Sequence, residues 1–200
     1  ARTLLDSPPF VDVLVAAALD AIAIAHAAGR PELADLPGLY RVRPPVAPFT
    51  ATLRGEAPVP SSSYLRAVIS SVTADLLLVE GAGGLLVPIA PGFTMADLAA
   101  QLGATVLIVA RTRLGTLNHT LLTIAECRRR SLPIAGVILN RVDAAQGPEE
   151  NDNVRLLQAH GRVPIWGPLP FLPEASLDAL GQAAATYLPL AELSRAAGFV

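Results

Sequence analysis

Thr105-Val106-Leu107-Ile108-Val109-Ala110 and Pro133-Ile134-Ala135-Gly136-Val137-Ile138-Leu139-Asn140, with Thr116 to Arg130 between them, form the stretch from which the fold is read. Both apolar runs are continuous rather than alternating. A strand apolar at every position belongs in a sheet covered on both faces, because a one-sided strand would put every second residue in water. The intervening segment is too long for a hairpin and suits a helix. Strand, helix, strand with buried strands is a right-handed βαβ unit. Upstream, Asp75–Val79 is a further apolar run ending in Glu80-Gly81-Ala82-Gly83-Gly84, and Thr94–Leu102 is a short helix. Ser61-Ser62-Ser63 caps a helix from about Tyr64 to Ala74. Downstream, Glu149–His160 reads as a helix, Val163–Gly167 as a strand, and Ser176–Tyr187 and Ala191–Ala197 as helices.

This alternation predicts an α/β fold: a parallel sheet flanked by helices. With no repeat and no linker, residues 1–200 read as one domain. Toward the start of the chain, Val13–Ala28 reads as a helix stopped by Gly29-Arg30-Pro31, Leu39–Val42 as an extended piece, and Pro44–Pro60 as a proline-rich surface loop.

Composition narrows the function. All 15 basic side chains are arginine, so no lysine is present to act as a phosphate-binding amine, Schiff base or general base. A hydrophobic content of 52% with 16% charged residues argues against disorder. A net charge of -2 gives no electrostatic case for nucleic acid or an anionic membrane. The most apolar segment, Val13–Gly29, is alanine-rich and carries Asp20 at its centre, which argues against a membrane span. The single Cys127 excludes an internal disulfide and suits a reducing cytoplasm. The chain's first residues show no charged n-region with a cleavage site, so no signal peptide is expected.

In a parallel sheet the ligand site lies beyond the carboxyl ends of the strands. The polar residues there are Glu80, Arg111, Asn140 and Arg141, with the Pro168–Pro173 loop. Glu80 followed by glycines suits a magnesium–phosphate site, since a carboxylate takes the hard cation and glycines let backbone N–H groups approach phosphate; the alternative is a plain glycine turn. Leu114-Gly115-Thr116-Leu117-Asn118 opens a helix, where free N–H groups and the dipole attract an anion; the alternative is an ordinary helix start. Asn140 can pair with an adenine edge and Pro170-Phe171-Leu172 can form a flat wall, or both can be ordinary connections. Asp20, within the apolar first helix, needs a partner, a metal or water, or else lies on that helix's exposed side. His119 reads as a hydrogen-bonded structural residue, Cys127 and Trp166 as packed core, and Arg128-Arg129-Arg130 as cations complementing a helix C-terminus.

Together these pieces resemble the dethiobiotin synthetase family, the ATP-dependent carboxylases of biotin synthesis. The resemblance is carried by Leu78–Pro88, Val106–Leu122, Leu132–Asn140 and Gly167–Pro170, with an aromatic–Pro–x–x–Pro echo from Tyr40 through Pro45 to Pro48. It implies a P-loop NTPase-like fold, a homodimer, ATP as co-substrate and Mg2+. The implied reaction joins CO2 to 7,8-diaminopelargonate and closes a ureido ring. Carried over by motif, Glu80 and Asp20 resemble the metal contacts, Gly81, Ala82 and Gly83 the phosphate loop, and Asn140 with Arg141 the adenine contacts. Pro170, Phe171 and Leu172 match the base-side loop. Leu114, Gly115, Thr116, Leu117 and Asn118 match the helix start that holds the substrate carboxylate of a neighbouring subunit. The family's Gly-Lys-Thr loop and Lys-Pro-Val strand end have no counterpart, and Phe49 stands where the family has His. No catalytic residue is therefore assigned, and the 200 residues as they stand are expected not to make dethiobiotin. Alternative readings are a shortened non-catalytic paralogue acting as an interaction or regulatory subunit, and a cobyrinic or cobyric acid synthase-type amidoligase.

Overall fold

A computed structural model of the chain describes residues 11–12, 25–26, 29, 31, 46–55, 61–73, 76–145, 147–174 and 176–198. They fall into two compact units divided between Gly103 and Ala104, and each is described by itself. No described helix is long and apolar enough to cross a membrane. Of the predicted helix over Val13–Ala28 only Ala25 and His26 are described, both helical. Asp20, Tyr40, Pro45 and the Leu39–Val42 segment lie outside the described residues.

The first unit contains β1 (Val11–Asp12), α1 (Pro48–Leu53), α2 (Ser62–Ser70), β2 (Leu77–Leu78), β3 (Pro88–Ala90), β4 (Phe93–Thr94) and α3 (Met95–Leu102). Helix α1 corrects the reading of Pro44–Pro60 as a loop. Pro48 stands at its first turn, where a proline's missing N–H costs nothing, and both Pro48 and Ala51 are buried. Helix α2 starts as expected: Ser61 accepts a hydrogen bond from the Tyr64 N–H at 3.2 Å. Of the Asp75–Val79 run, Leu77 and Leu78 form β2, paired in parallel with Val11 and Asp12 of β1. Leu77 and Val79 join the core, whereas Leu78 is 44% exposed.

Strands β3 and β4 pair antiparallel across Pro91-Gly92, a hairpin absent from the sequence reading. Helix α3 begins with a capping box in which Thr94 and Asp97 satisfy each other's backbone N–H groups. The core of this unit is Leu65, Ile69, Ile89, Met95 and Leu98.

The second unit contains β5 (Val106–Arg111), α4 (Thr116–Arg129), β6 (Ile134–Asn140), α5 (Glu150–Gly161), β7 (Ile165–Leu169), α6 (Leu177–Tyr187) and α7 (Leu190–Ala196). The strands form a parallel sheet in the order β5-β6-β7. Strand β7 starts two residues later than Val163, since Arg162 has φ 50 and Pro164 has no N–H to donate. Central β6 shows why its sequence is apolar throughout. Val137 and Leu139 pack on one side with Ile108, Ile124 and Leu157, against α4 and α5. Ile138 packs on the other side with Trp166 and Leu188, against α6 and α7. Alternate residues thus enter two separate cores, and polar residues would be buried on either face.

Gly136 carries the closest approach in this sheet. A Cβ there would lie 2.6 and 2.7 Å from the Trp166 ring carbons Cζ3 and Cη2 and 2.8 Å from the Pro164 carbonyl oxygen. Cys127 is fully buried, and burial pushes its thiol pKa up. At the C-terminal end of α4, Glu126 pairs with Arg129 and Arg130, and Arg128 donates to the carbonyl oxygens of Gly161 and Arg162. Arg129 and Arg130 thus pair with a carboxylate of their own helix, and Arg128 serves carbonyl oxygens at the end of α5.

Candidate functional site

In the first unit the glycine loop leaves β2 at Val79. Glu80, at its start, is exposed. Gly83 has φ 83, a left-handed conformation that a side chain resists, and a Cβ there would meet Val87 Cγ2 at 3.0 Å. The loop closes on itself through Val87 N–H donating to Gly84 O at 2.9 Å. It is then tied to α3, where Met95 N–H donates to Val87 O and Ala96 N–H to Leu85 O. The Met95 side chain, 3.5 Å from the place a Gly81 Cβ would take, fills the space beneath the loop. The result is a fixed turn whose Gly84 side has open space. Among the described residues no group of three or more His, Cys, Asp and Glu gathers to hold a metal.

In the second unit the strand register aligns Arg111 with Asn140 and Asn140 with Leu169. The carboxyl ends of three neighbouring strands therefore finish level. Arg141 N–H donates to Leu169 O at 3.1 Å, which brings Asn140 and Arg141 beside Pro170, Phe171 and Leu172. Phe171 is exposed, while Pro170 and Leu172 are half-buried. The Arg141 guanidinium is engaged by Glu150, with Nη2–Oε1 at 2.5 Å and Nε–Oε1 at 2.9 Å. That bond raises the arginine pKa further.

The start of α4 has Gly115 as its N-cap, at φ 94, with no side-chain cap. Thr116 N–H donates to Arg113 O, and His119 N–H to Gly115 O. The N–H groups of Leu117 and Asn118 belong to the uncapped first turn, the local condition for an anion site. A cavity of about 170 Å³ adjoins this turn, lined among others by Arg111, Arg113, Leu114, Thr116, His119 and Thr120. Leu114 is 90% exposed, unusual for a leucine.

His119 is exposed along the cavity; its backbone N–H donates to Gly115 O and its backbone oxygen accepts from Thr123 Oγ1. The preceding loop is held by Arg113, which pairs with Asp143. Arg113 in turn keeps the Asp143 carboxyl below the usual carboxylate range.

Two buried polar residues of α5 escaped the sequence reading. Glu150 is 6% exposed and Asn153 8%, on the same face of α5 as Leu157 and Gly161. Asn153 Nδ2 donates to the carbonyl oxygen of buried Thr112 at 3.3 Å. The signal was available: positions 150, 153, 157 and 161 follow a helical stripe, and two of them are polar where the stripe faces inward.

The AAA domain family matches residues 14–178 of the chain. The ATP-dependent dethiobiotin synthetase of Rhodopseudomonas palustris (strain HaA2) is 38% identical over 172 residues, covering 80% of this chain and 71% of that protein. Its counterpart in Agrobacterium fabrum is 34% identical over 173 residues, covering 86% and 77%. The dethiobiotin synthetase of Anaeromyxobacter dehalogenans (strain 2CP-C) is 53% identical over 98 residues, which is 48% of this chain and 42% of that protein.

Proposed function

The chain belongs to the dethiobiotin synthetase family, of P-loop NTPase-like α/β fold, and on that footing we propose that it serves ATP-dependent dethiobiotin formation. The reaction is the joining of CO2 to 7,8-diaminopelargonate. One amine adds to CO2 and loses a proton, giving a carbamate. The carbamate oxygen attacks the γ-phosphorus of ATP, and ADP leaves. The second amine attacks the activated carbonyl carbon, phosphate departs, a proton is released, and the ureido ring is closed.

The observation that carries this reading is the level finish of Arg111, Asn140 and Leu169 beside the uncapped start of α4. Asn140 reads the adenine edge, and Pro170, Phe171 and Leu172 supply the wall against which the base lies. The first turn of α4, Leu114 to Asn118, takes the substrate carboxylate, as fits its N–H groups and dipole. In the other unit the Glu80–Gly84 turn lets backbone N–H groups approach phosphate oxygens. Glu80 is one hard oxygen donor on an exposed loop, which fits a magnesium ion held mainly by nucleotide and water. Glu80, with Asp20, would hold it, and its chemistry is neutralisation of phosphate charge. Residues 1–200 act in this reading as one domain, in a homodimer, in the cytoplasm.

The test is direct. Protein carrying the family's lysine-bearing Gly-Lys-Thr segment together with residues 1–200 is incubated with ATP, magnesium, bicarbonate and 7,8-diaminopelargonate, and dethiobiotin is measured by mass spectrometry. ATP-dependent product is expected from it, and none from residues 1–200 by themselves, which hold no lysine. Absence of product from the lysine-bearing protein, or equal product without ATP, refutes the proposal.

A further inference from the structure

Glu150 is a buried carboxylate to which the reaction gives no role. It grips the Arg141 guanidinium through both oxygens, with Nε–Oε2 at 3.1 Å completing the fork. A buried ion pair is a poor source of stability, because desolvation offsets most of the attraction. A bidentate arginine fork does, however, fix orientation. The same turn of α5 is held to the exit of β5 by the Asn153–Thr112 bond. Through Arg141 N–H and Leu169 O it is also coupled to the exit of β7. One helical turn therefore sets the relative position of three strand ends, including the two that present Asn140 and Pro170.

Resting on the nucleotide reading above, we propose that Glu150 is a positioning residue for base selection: by clamping Arg141 it holds the Asn140 amide and the Pro170–Leu172 loop in register with adenine. Arg141 then acts by holding this loop, its guanidinium turned to Glu150 rather than offered to the base. Loosening the clamp should let the loop accommodate other bases, since discrimination depends on polar groups held where the wrong base leaves them unpaired.

The measurement is the ratio of kcat/KM for ATP to that for GTP, in full-length wild type and in Glu150→Asp and Glu150→Gln. The ratio is independent of the fraction of folded enzyme, so loss of stability alone leaves it unchanged. We expect it to fall about threefold in Glu150→Asp and about tenfold in Glu150→Gln, a tenfold change being about 1.4 kcal/mol. Glu126→Gln, which breaks an exposed ion pair at the far end of α4, should keep the wild-type ratio. If the single variants do not fold because they strand a buried arginine, the double variant Arg141→Met, Glu150→Met removes both charges and should show the same loss of selectivity. Variant ratios within twofold of a discriminating wild type overturn the inference alone. A wild type that uses ATP and GTP equally overturns the adenine reading with it.

Discussion

Replacing Gly136 by alanine tests the architecture that brings the strand ends level. The added Cβ would sit 2.6 Å from Trp166 Cζ3 and 2.8 Å from Pro164 O, where an ordinary contact needs about 3.5 Å or more. The indole could tilt, but Trp166 is 5% exposed and packed with Ile138 and Leu188. The carbonyl cannot yield easily, because it accepts the Val137 N–H at 2.9 Å. Overpacking of a tight core costs about 1–3 kcal/mol, and a clash with backbone belongs in the upper half of that range. Alanine's better strand propensity returns only a few tenths, about 0.5 kcal/mol at most. The net expectation is a loss of about 2 kcal/mol, or roughly 4–8 °C in Tm for a chain of this size. Urea unfolding followed by fluorescence suits the measurement, since Trp166 is the protein's one tryptophan and sits at the clash. In a Trp166→Leu background, followed by circular dichroism, the ring contacts vanish and the cost of Gly136→Ala should shrink by about 1 kcal/mol. A Gly136→Ala protein as stable as wild type, or a cost unchanged in the leucine background, would refute the reasoning.

Other outcomes follow from the same structure. Gly83→Ala forces a side chain into φ 83 against Val87, so ATP-dependent turnover should fall at least about fivefold, for a strain of about 1–2 kcal/mol, while Tm moves by only a few degrees. Steady-state kinetics beside a melting curve separates the two. Asn140→Ala removes the proposed adenine contact and should weaken ATP binding about three- to tenfold by calorimetry, with GTP affected less. Glu126, hydrogen-bonded by Arg129 and Arg130, has its pKa lowered to about 2 from 4.5. A depressed carboxylate stabilises the fold fully above its unfolded value and loses that effect as pH falls through the folded value. The Tm difference between wild type and Glu126→Gln should therefore be present at pH 7, shrink from about pH 4.5 downward, and vanish near pH 2. High salt should reduce it at pH 7, because the pair is on the surface.

The strands and helices from Met95 onward were legible because each is specified locally. Continuous apolar runs mark β5 and β6, and Thr94 and Ser176 mark helix starts that the structure confirms by cap hydrogen bonds. Helix α1 was not legible, since a proline-rich stretch reads as loop until Pro48 is seen to occupy the one helical turn that tolerates it. The hairpin at Pro91-Gly92 was hidden for a related reason: its strands are two and three residues long, too short to show alternation.

The sequence by itself determined the family, the alternation of strand and helix, and which residues stand at strand ends. Those properties live in short segments and survive without knowledge of neighbours. Only the tertiary structure decided that Arg111, Asn140 and Leu169 finish level, that Glu150 and Asn153 are buried, and that the Arg141 guanidinium engages Glu150. Register and burial depend on contacts such as that between Thr112 and Asn153, 41 positions apart, and no local pattern encodes which distant partner a polar side chain will find.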